Sequence, residues 1–588
     1  MKKLINMLED ELRAAFEKAG YEGRFGSVAI SNRPDLCQYQ CNGAMAAAKQ
    51  YKKAPLVIAN EVLEALGESG TFEQITAIPP GFINIIVSAR FLADYVNDMA
   101  KEEKLGCEEA KKPETIVIDY GGPNVAKPLH VGHLRSAVIG ESIKRTARYL
   151  GHKVIGDVHL GDWGLQIGLI IIELKRRQPG LVYFDEGYEG EYPKDAPFTM
   201  SDLEEIYPYA SSYSKEHPEY KEEAQEATAQ LQAGNRGYLA LWQHIIHVSV
   251  ADVKRIYDSL DITFDLWKKE SDAQPYIPDM VQYLKDEGYA YISEGALVVD
   301  VKEETDTKEI PPCMILKSNG ATLYNTTDLA TMVERRKLFH PTKLIYVVDK
   351  RQSLYFEQVF RCAKKTKLLD EETELVFVGF GTMNGKDGKP FKTRDGGVLR
   401  LEHLLADVTE QVKKKMADRD MSEEMMEDAA GKVGLAAIKY GDLSNQASKD
   451  YIFDVERFTS FEGNTGPYIL YTIVRTKSLL GKVNELGLSY DKCACFLPPA
   501  DKTEEELMLV LSRWNDTVEA AYTERAPHRI CQYVYELADA FNRFYHEHKI
   551  VTEEDEEKRT SWIVLSAFVG KVLETGAGLL GFEAPERM

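Results

Sequence analysis

Two histidines three residues apart, His130 and His133, flank Gly132 within the segment Pro123-Asn-Val-Ala-Lys-Pro-Leu-His-Val-Gly-His-Leu-Arg135. At a helix start, residues at this spacing share a face, so both imidazoles can address one ligand. Ring N–H groups, together with the free N–H groups of a first helical turn, suit a phosphoryl group whose charge builds in a transition state. Gly132 lets a ligand approach the main chain closely. Taken alone, His-x-Gly-His equally describes two half-exposed histidines, so its neighbours decide. Thr115 to Asp119 is a β-branched apolar run suited to a buried strand, and Gly121 to Asn124 is a Gly-Gly-Pro-Asn turn. Leu134, Val138, Ile139, Ile143, Ala147 and Leu150 then share a helical face up to Gly151, and Val154 to Val158 reads as the next strand. Strand, turn, helix and strand make a βαβ unit, which implies a parallel sheet.

Two further constellations could serve such a site. Residues 385–397 gather Lys386, Lys389 and Lys392 among Gly385, Gly388, Gly396 and Gly397, a flexible basic loop able to close over a polyphosphate or, more plainly, a solvated hairpin turn. Tyr324-Asn-Thr-Thr-Asp328 offers a flat wall and a carboxylate four residues apart, the pair a planar guanidinium needs. Here Tyr324 is expected to end a strand spanning Ala321 to Asn325, and Asp328 to lie in the first turn of the next helix. An acidic residue also favours helix starts for electrostatic reasons alone. Asp349-Lys-Arg-Gln352 follows another strand, Leu344 to Val348.

His-Val-Gly-His resembles the histidine signature of the class I aminoacyl-tRNA synthetases. The longer string Pro123 to Ser136 and His159-Leu-Gly-Asp-Trp-Gly-Leu-Gln166 resemble its arginyl branch. That resemblance implies ATP-dependent joining of L-arginine to tRNA(Arg) through an arginyl-adenylate, with release of AMP and pyrophosphate. Mg²⁺ would ride on the phosphates without a protein cage. It assigns catalysis to Lys127, His130, His133 and Lys392. Arginine would meet Pro123, Asn124, His133, Tyr324, Asp328 and Gln352. ATP would meet His130, Gly132, His133, Lys389, Lys392, Thr393 and Arg394. Pro390-Phe-Lys-Thr-Arg394 resembles the mobile second signature, with Thr393 where a second lysine is usual. The family compensates with a lysine before the histidines. Lys127 stands there, although a surface charge would look the same.

The 588 residues are enough for three or four domains. The expected class is multidomain α/β: a Rossmann-type, doubly wound parallel-sheet core, an α+β N-terminal domain (1–110) and an all-α anticodon-binding domain (458–588). The core (111–457) would carry a helical insertion at about 179–290 and the mobile loop at 385–397. Leu297 to Val301 and Leu375 to Val378 are further strand candidates for that core. The net charge of -22 argues against nucleic-acid binding unless basic groups gather on one face. Arg475, Lys477, Arg529 and Arg543 are the candidates for tRNA phosphates. The 8 cysteines form no CxxC pair, and no apolar run approaches the roughly 18 residues that span a bilayer. A cytoplasmic monomer is expected. Three alternatives stay open: a synthetase for another amino acid, a catalytically silent RNA-binding relative, and a small-molecule nucleotidyltransferase. The acidic pocket, the intact histidines and the helical C-terminal block respectively speak against them.

Overall fold

The computed structural model describes residues 1–389, 399–488 and 495–588. Its central sheet has five parallel strands, Glu374–Phe380, Lys343–Asp349, Thr115–Asp119, Lys153–Leu160 and Leu266–Lys269 in spatial order. The first strand in the chain therefore lies mid-sheet, with its successors running to one side and the last two strands to the other. Loops leave in opposite directions at the junction of Thr115–Asp119 and Lys343–Asp349. This is a topological switch point, and a ligand crevice opens at the carboxyl ends of such strands.

The histidine segment leads from this point into the helix Val131–Tyr149, here the motif helix. Its burial is nearly all-round, because it lies between the sheet and the C-terminal helices. Gly140 lets it come that close: a Cβ there would fall 2.3 Å from the Tyr120 ring. Tyr120 donates to Glu141 at 2.9 Å, and Glu141 also pairs with Lys144 and Arg145, each at 2.8 Å. Charges buried this deeply require such partners.

The insertion is helical over Met200–Glu216, Pro218–Gln232 and Arg236–Ser259. It ends earlier than the expected 290, because Leu266–Lys269 pairs with Lys153–Leu160 in the core. Two strand expectations also change. Ala296–Val299 joins Ala290–Ser293 and Cys313–Leu316 in a separate antiparallel sheet. Tyr324 opens the helix Tyr324–Phe339 instead of closing a strand. The Thr326 hydroxyl accepts the Leu323 N–H at 3.1 Å, capping a helix start where the end of a strand was expected.

The N-terminal region packs helices Leu4–Lys18, Gly43–Tyr51, Pro55–Leu66 and Ala89–Lys101 with a four-stranded antiparallel sheet. It is fastened to the C-terminal helices. The Asn97 side chain donates to the Phe496 carbonyl (3.0 Å) and accepts its N–H (2.7 Å), and Lys3 pairs with Asp516 and Glu519. The C-terminal bundle is built around Pro527–Glu547 and Glu556–Leu580. Glu556–Leu580, whose apolar residues are interrupted by polar ones, is long and apolar enough to cross a membrane, and two thirds of its apolar stretch is covered by the bundle.

Candidate active site

A cleft of about 840 Å³ opens where the switch point predicts it. All five core strands deliver lining residues at their carboxyl ends: Asp119, His159, Glu270, Asp349 and Phe380-Gly381. Asn124, His130, Gly132, His133, Tyr324, Asp328 and Gln352, seven of the residues expected from sequence, line it together. Pro123 lies buried beneath, its carbonyl accepting the Gly161 N–H at 3.2 Å. Lys127 stands with its ammonium 4.6 Å from the centre of the Tyr207 ring. Lys389 closes a short turn, its carbonyl accepting from Gly385 at 2.8 Å. Lys392, Thr393 and Arg394 lie outside the described residues.

The two histidines cap their own helix. His130 Nδ1 accepts the Gly132 N–H at 3.0 Å, and His133 Nδ1 accepts the His130 N–H at 3.2 Å. The Val131 N–H goes to the Leu399 carbonyl at 3.1 Å and the His133 N–H to the His130 carbonyl at 2.8 Å. The expectation of free first-turn N–H groups is therefore not met: the His130 ring and the carbonyls of His130 and Leu399 take them. A ring whose Nδ1 accepts carries its proton on Nε2, so each histidine keeps one N–H donor. Burial, then the other histidine and Lys127, push His133 down to about 3; burial and Lys127 lower His130 too. Both are neutral donors near pH 7.

The other end of the cleft is acidic. Asp328, one helical turn from Tyr324, accepts from Tyr355 Oη at 2.5 Å, and burial raises its pKa. Burial, then Asp162 and Asp328, push Glu270 up to about 7. Below the floor, Arg335 is 2% exposed and reaches Asp119 and Asp157, each at 2.6 Å. This internal guanidinium balances two carboxylates, whereas Asp328 and Glu270 form no ion pair among the described residues. It also engages both carboxylates of a group beside the cleft, Asp119, Asp157 and His159, whose spacing would suit a metal ion. Tyr324, 68% exposed, forms the open wall. Sequence reading missed Glu270, Tyr355 and Arg335. Glu270 follows a strand that was assigned to the insertion; Tyr355 and Arg335 lie within helices, where nothing in the local pattern marks them.

Arg135, two residues past His133, binds the arm that leads toward residue 390. Its Nη1 donates to the carbonyls of Gly381 and Lys449, both at 2.8 Å, and its Nε pairs with Asp442 at 3.0 Å. Only glycine fits at 381, where a Cβ would fall 2.4 Å from Asp450.

The four C-terminal basic candidates differ in setting. Arg529 is paired with Glu524, Arg543 with Glu506 and Lys477 with Glu574. Arg475 instead lies over the rings of Tyr471 and Tyr545, at 4.8 and 5.1 Å, and bonds Asn542.

A family model described as "tRNA synthetases class I (R), catalytic domain" matches residues 95–455. The chain belongs to the arginyl-tRNA synthetase family. Two more models flank that match: "Arginyl tRNA synthetase N terminal domain" over residues 2–87 and "DALR anticodon binding domain" over 469–588. The chain is 60% identical to an arginine–tRNA ligase of Agathobacter rectalis and 57% identical to one of Alkaliphilus oremlandii, over the full length of each. Among solved structures it is similar to the arginyl-tRNA synthetases of Plasmodium falciparum (TM-score 0.81, 23% identity, all of both chains) and Thermus thermophilus (0.78, 22%, 99% of this chain and all of that one). At those identities the likeness establishes the fold: parallel core, mixed N-terminal domain and helical C-terminal domain, as the sequence led one to expect.

Proposed function

We propose that this cleft joins L-arginine to the adenylyl group of ATP and then to tRNA(Arg), with the following division of labour. Asp328 and Glu270 take the guanidinium, with Tyr324 closing over its plane. Asn124 and Gln352 hold the amino-acid end near His133. The arginine carboxylate attacks the α-phosphate in line, giving arginyl-adenylate and pyrophosphate, and the terminal ribose of tRNA then takes the arginyl group and frees AMP. Displacement at phosphorus depends on positioning and charge stabilisation. The Nε2–H groups of His130 and His133 donate to the phosphate oxygens as their charge grows. Gly132 leaves room for the nucleotide. Lys127, Lys389, Lys392 and Arg394 neutralise the polyphosphate and the Thr393 hydroxyl bonds to it, with Mg²⁺ carried on ATP. The tRNA anticodon stem meets the C-terminal bundle near Arg475. The enzyme works as a cytoplasmic monomer.

The observation that carries this reading is the unlike pair of cleft ends: neutral imidazole donors at one, and at the other two carboxyl groups that form no ion pair among the described residues. Arginine and citrulline have nearly the same shape but differ in the guanidinium charge. Calorimetric titration with ATP present should detect arginine binding and no citrulline binding. Equal affinity for both would contradict the assignment of the acidic end.

A further inference from the structure

Two segments flank the phosphate end of the cleft: the loop carrying Lys127, and residues 399–402, where the chain returns from 390–398. These segments are laced together. Leu401 donates to the Leu129 carbonyl at 2.9 Å, and Arg400 bridges His130. The acidic insertion grips both of them. On the helix Met200–Glu216, Glu204 and Tyr207 stand three residues apart and so share a face. Glu204 pairs with Arg400, while the Tyr207 ring lies against the Lys127 ammonium at 4.6 Å. A second insertion helix, Arg236–Ser259, adds two contacts. The Ser249 hydroxyl accepts the N–H of Ala126 at 2.9 Å, and Arg255 pairs with Glu402 at 2.8 Å. Ala126 is held at φ +59°, a left-handed conformation that alanine adopts only under constraint.

We propose that Tyr207 is a positioning residue for adenylate formation, its ring face holding the Lys127 ammonium at the mouth of the cleft. The insertion is then a brace that fixes the lysine loop and the returning segment relative to the histidines. The choice of partner matters. A carboxylate would neutralise Lys127 and compete with phosphate for it. An aromatic face orients the ammonium, leaves its charge intact and releases it at small cost. Among the described residues, no carboxylate forms an ion pair with Lys127. The proposal rests on the reading that Lys127 acts on phosphate, and its test separates the two.

The full chain is assayed by arginine- and tRNA-dependent ATP–pyrophosphate exchange in four variants: Tyr207→Leu, Tyr207→Phe, Lys127→Met and the double Tyr207→Leu/Lys127→Met. Tyr207→Leu should lower kcat about tenfold, with the arginine KM within about twofold, and Tyr207→Phe should restore most of the loss. In the Lys127→Met background, Tyr207→Leu should cost nothing further, because both residues act through one contact. An equal loss in both backgrounds overturns the role of Tyr207. A Lys127→Met enzyme with unchanged kcat overturns the reading of Lys127 itself. Should Tyr207→Leu not fold, progressively fluorinated phenylalanines at position 207 keep the shape while weakening the ring's negative face. In that series kcat should fall with each fluorine, and a flat response overturns the proposal.

Discussion

The rings of His130 and His133 lie 3.9 Å apart, centroid to centroid, and each closes a hydrogen bond within the same helical turn. One pair of side chains thus caps the helix through Nδ1 and keeps Nε2–H for the ligand. The structural and chemical roles belong to different atoms, so they can be separated.

His130→Asn makes that separation. Asparagine is a good N-cap and should hold stability within about 0.5 kcal/mol, whereas alanine should cost about 1 kcal/mol. Both should lower kcat of pyrophosphate exchange by about 10²–10³-fold, the effect of losing one donor to developing charge. Thermal unfolding and exchange rates check the two halves. His133→Ala should likewise leave tRNA affinity unchanged, measured by filter binding.

The acidic end should show a proton linked to arginine binding. Burial and the neighbouring Asp162 and Asp328 raise Glu270 to about 7, so in the free protein it is protonated below that pH. A guanidinium needs the carboxylate, so arginine binding should expel a proton, and affinity should weaken as pH falls below about 7, by at most about tenfold per unit. Because the histidines are neutral throughout that range, kcat should stay level from pH 8 to 6.5 while the arginine KM rises. Raised folded pKa also means that the stability Glu270 contributes is complete below its unfolded value of 4.5 and lost as pH rises through about 7. Glu270→Gln should therefore stabilise the ligand-free protein at pH 8, by about 3 kcal/mol at most, while removing the part of the pH dependence of arginine binding that is centred near pH 7.

Asp328→Asn should raise the arginine KM by about 10–100-fold, as expected for a hydrogen-bonded charge, and leave the ATP KM within about twofold. Tyr355→Phe should shift it in the same direction by less, because it removes the hydroxyl that holds Asp328. Initial-rate kinetics with each substrate varied in turn distinguish these outcomes from a general loss of folding.

Arg335 is a different case: it should matter to stability before it matters to binding. Arg335→Leu leaves Asp119 and Asp157 buried without their counter-charge and should cost about 3–5 kcal/mol in urea unfolding.

For tRNA, Arg475→Ala should weaken binding and reduce the salt slope by about one, whereas Arg529→Ala and Arg543→Ala should change little, because each arginine already has a carboxylate partner.

What could be read from sequence was what is local. Thr115 to Asp119, the turn and the motif helix lie within one stretch of chain, and their periods and glycine punctuation announce them. Tyr324 and Asp328 were legible as a pair because four residues is one helical turn, even though Tyr324 was expected at the end of a strand. The capping roles of His130 and His133 were not legible. They depend on which way each ring turns, which residue type and spacing do not fix, and the Val131 N–H goes to Leu399, far along the chain. Glu270 was missed because an acidic, helix-rich stretch masked a four-residue strand. Arg335 was missed because a buried helical arginine has no sequence signature until Asp119 and Asp157 are seen beside it. The warning in the net charge of -22 also reads differently in the fold: three of the four C-terminal basic candidates are spent on neighbouring carboxylates.

The most direct test of the central claim is ATP–pyrophosphate exchange by the purified full chain with each of the twenty amino acids, run with and without tRNA(Arg) and followed by transfer of label to the tRNA. Exchange and transfer with arginine alone is the expected result, abolished by Asp328→Asn at low arginine. Exchange with glutamate, cysteine or another neutral or acidic amino acid, or none with arginine when tRNA is present, would contradict it.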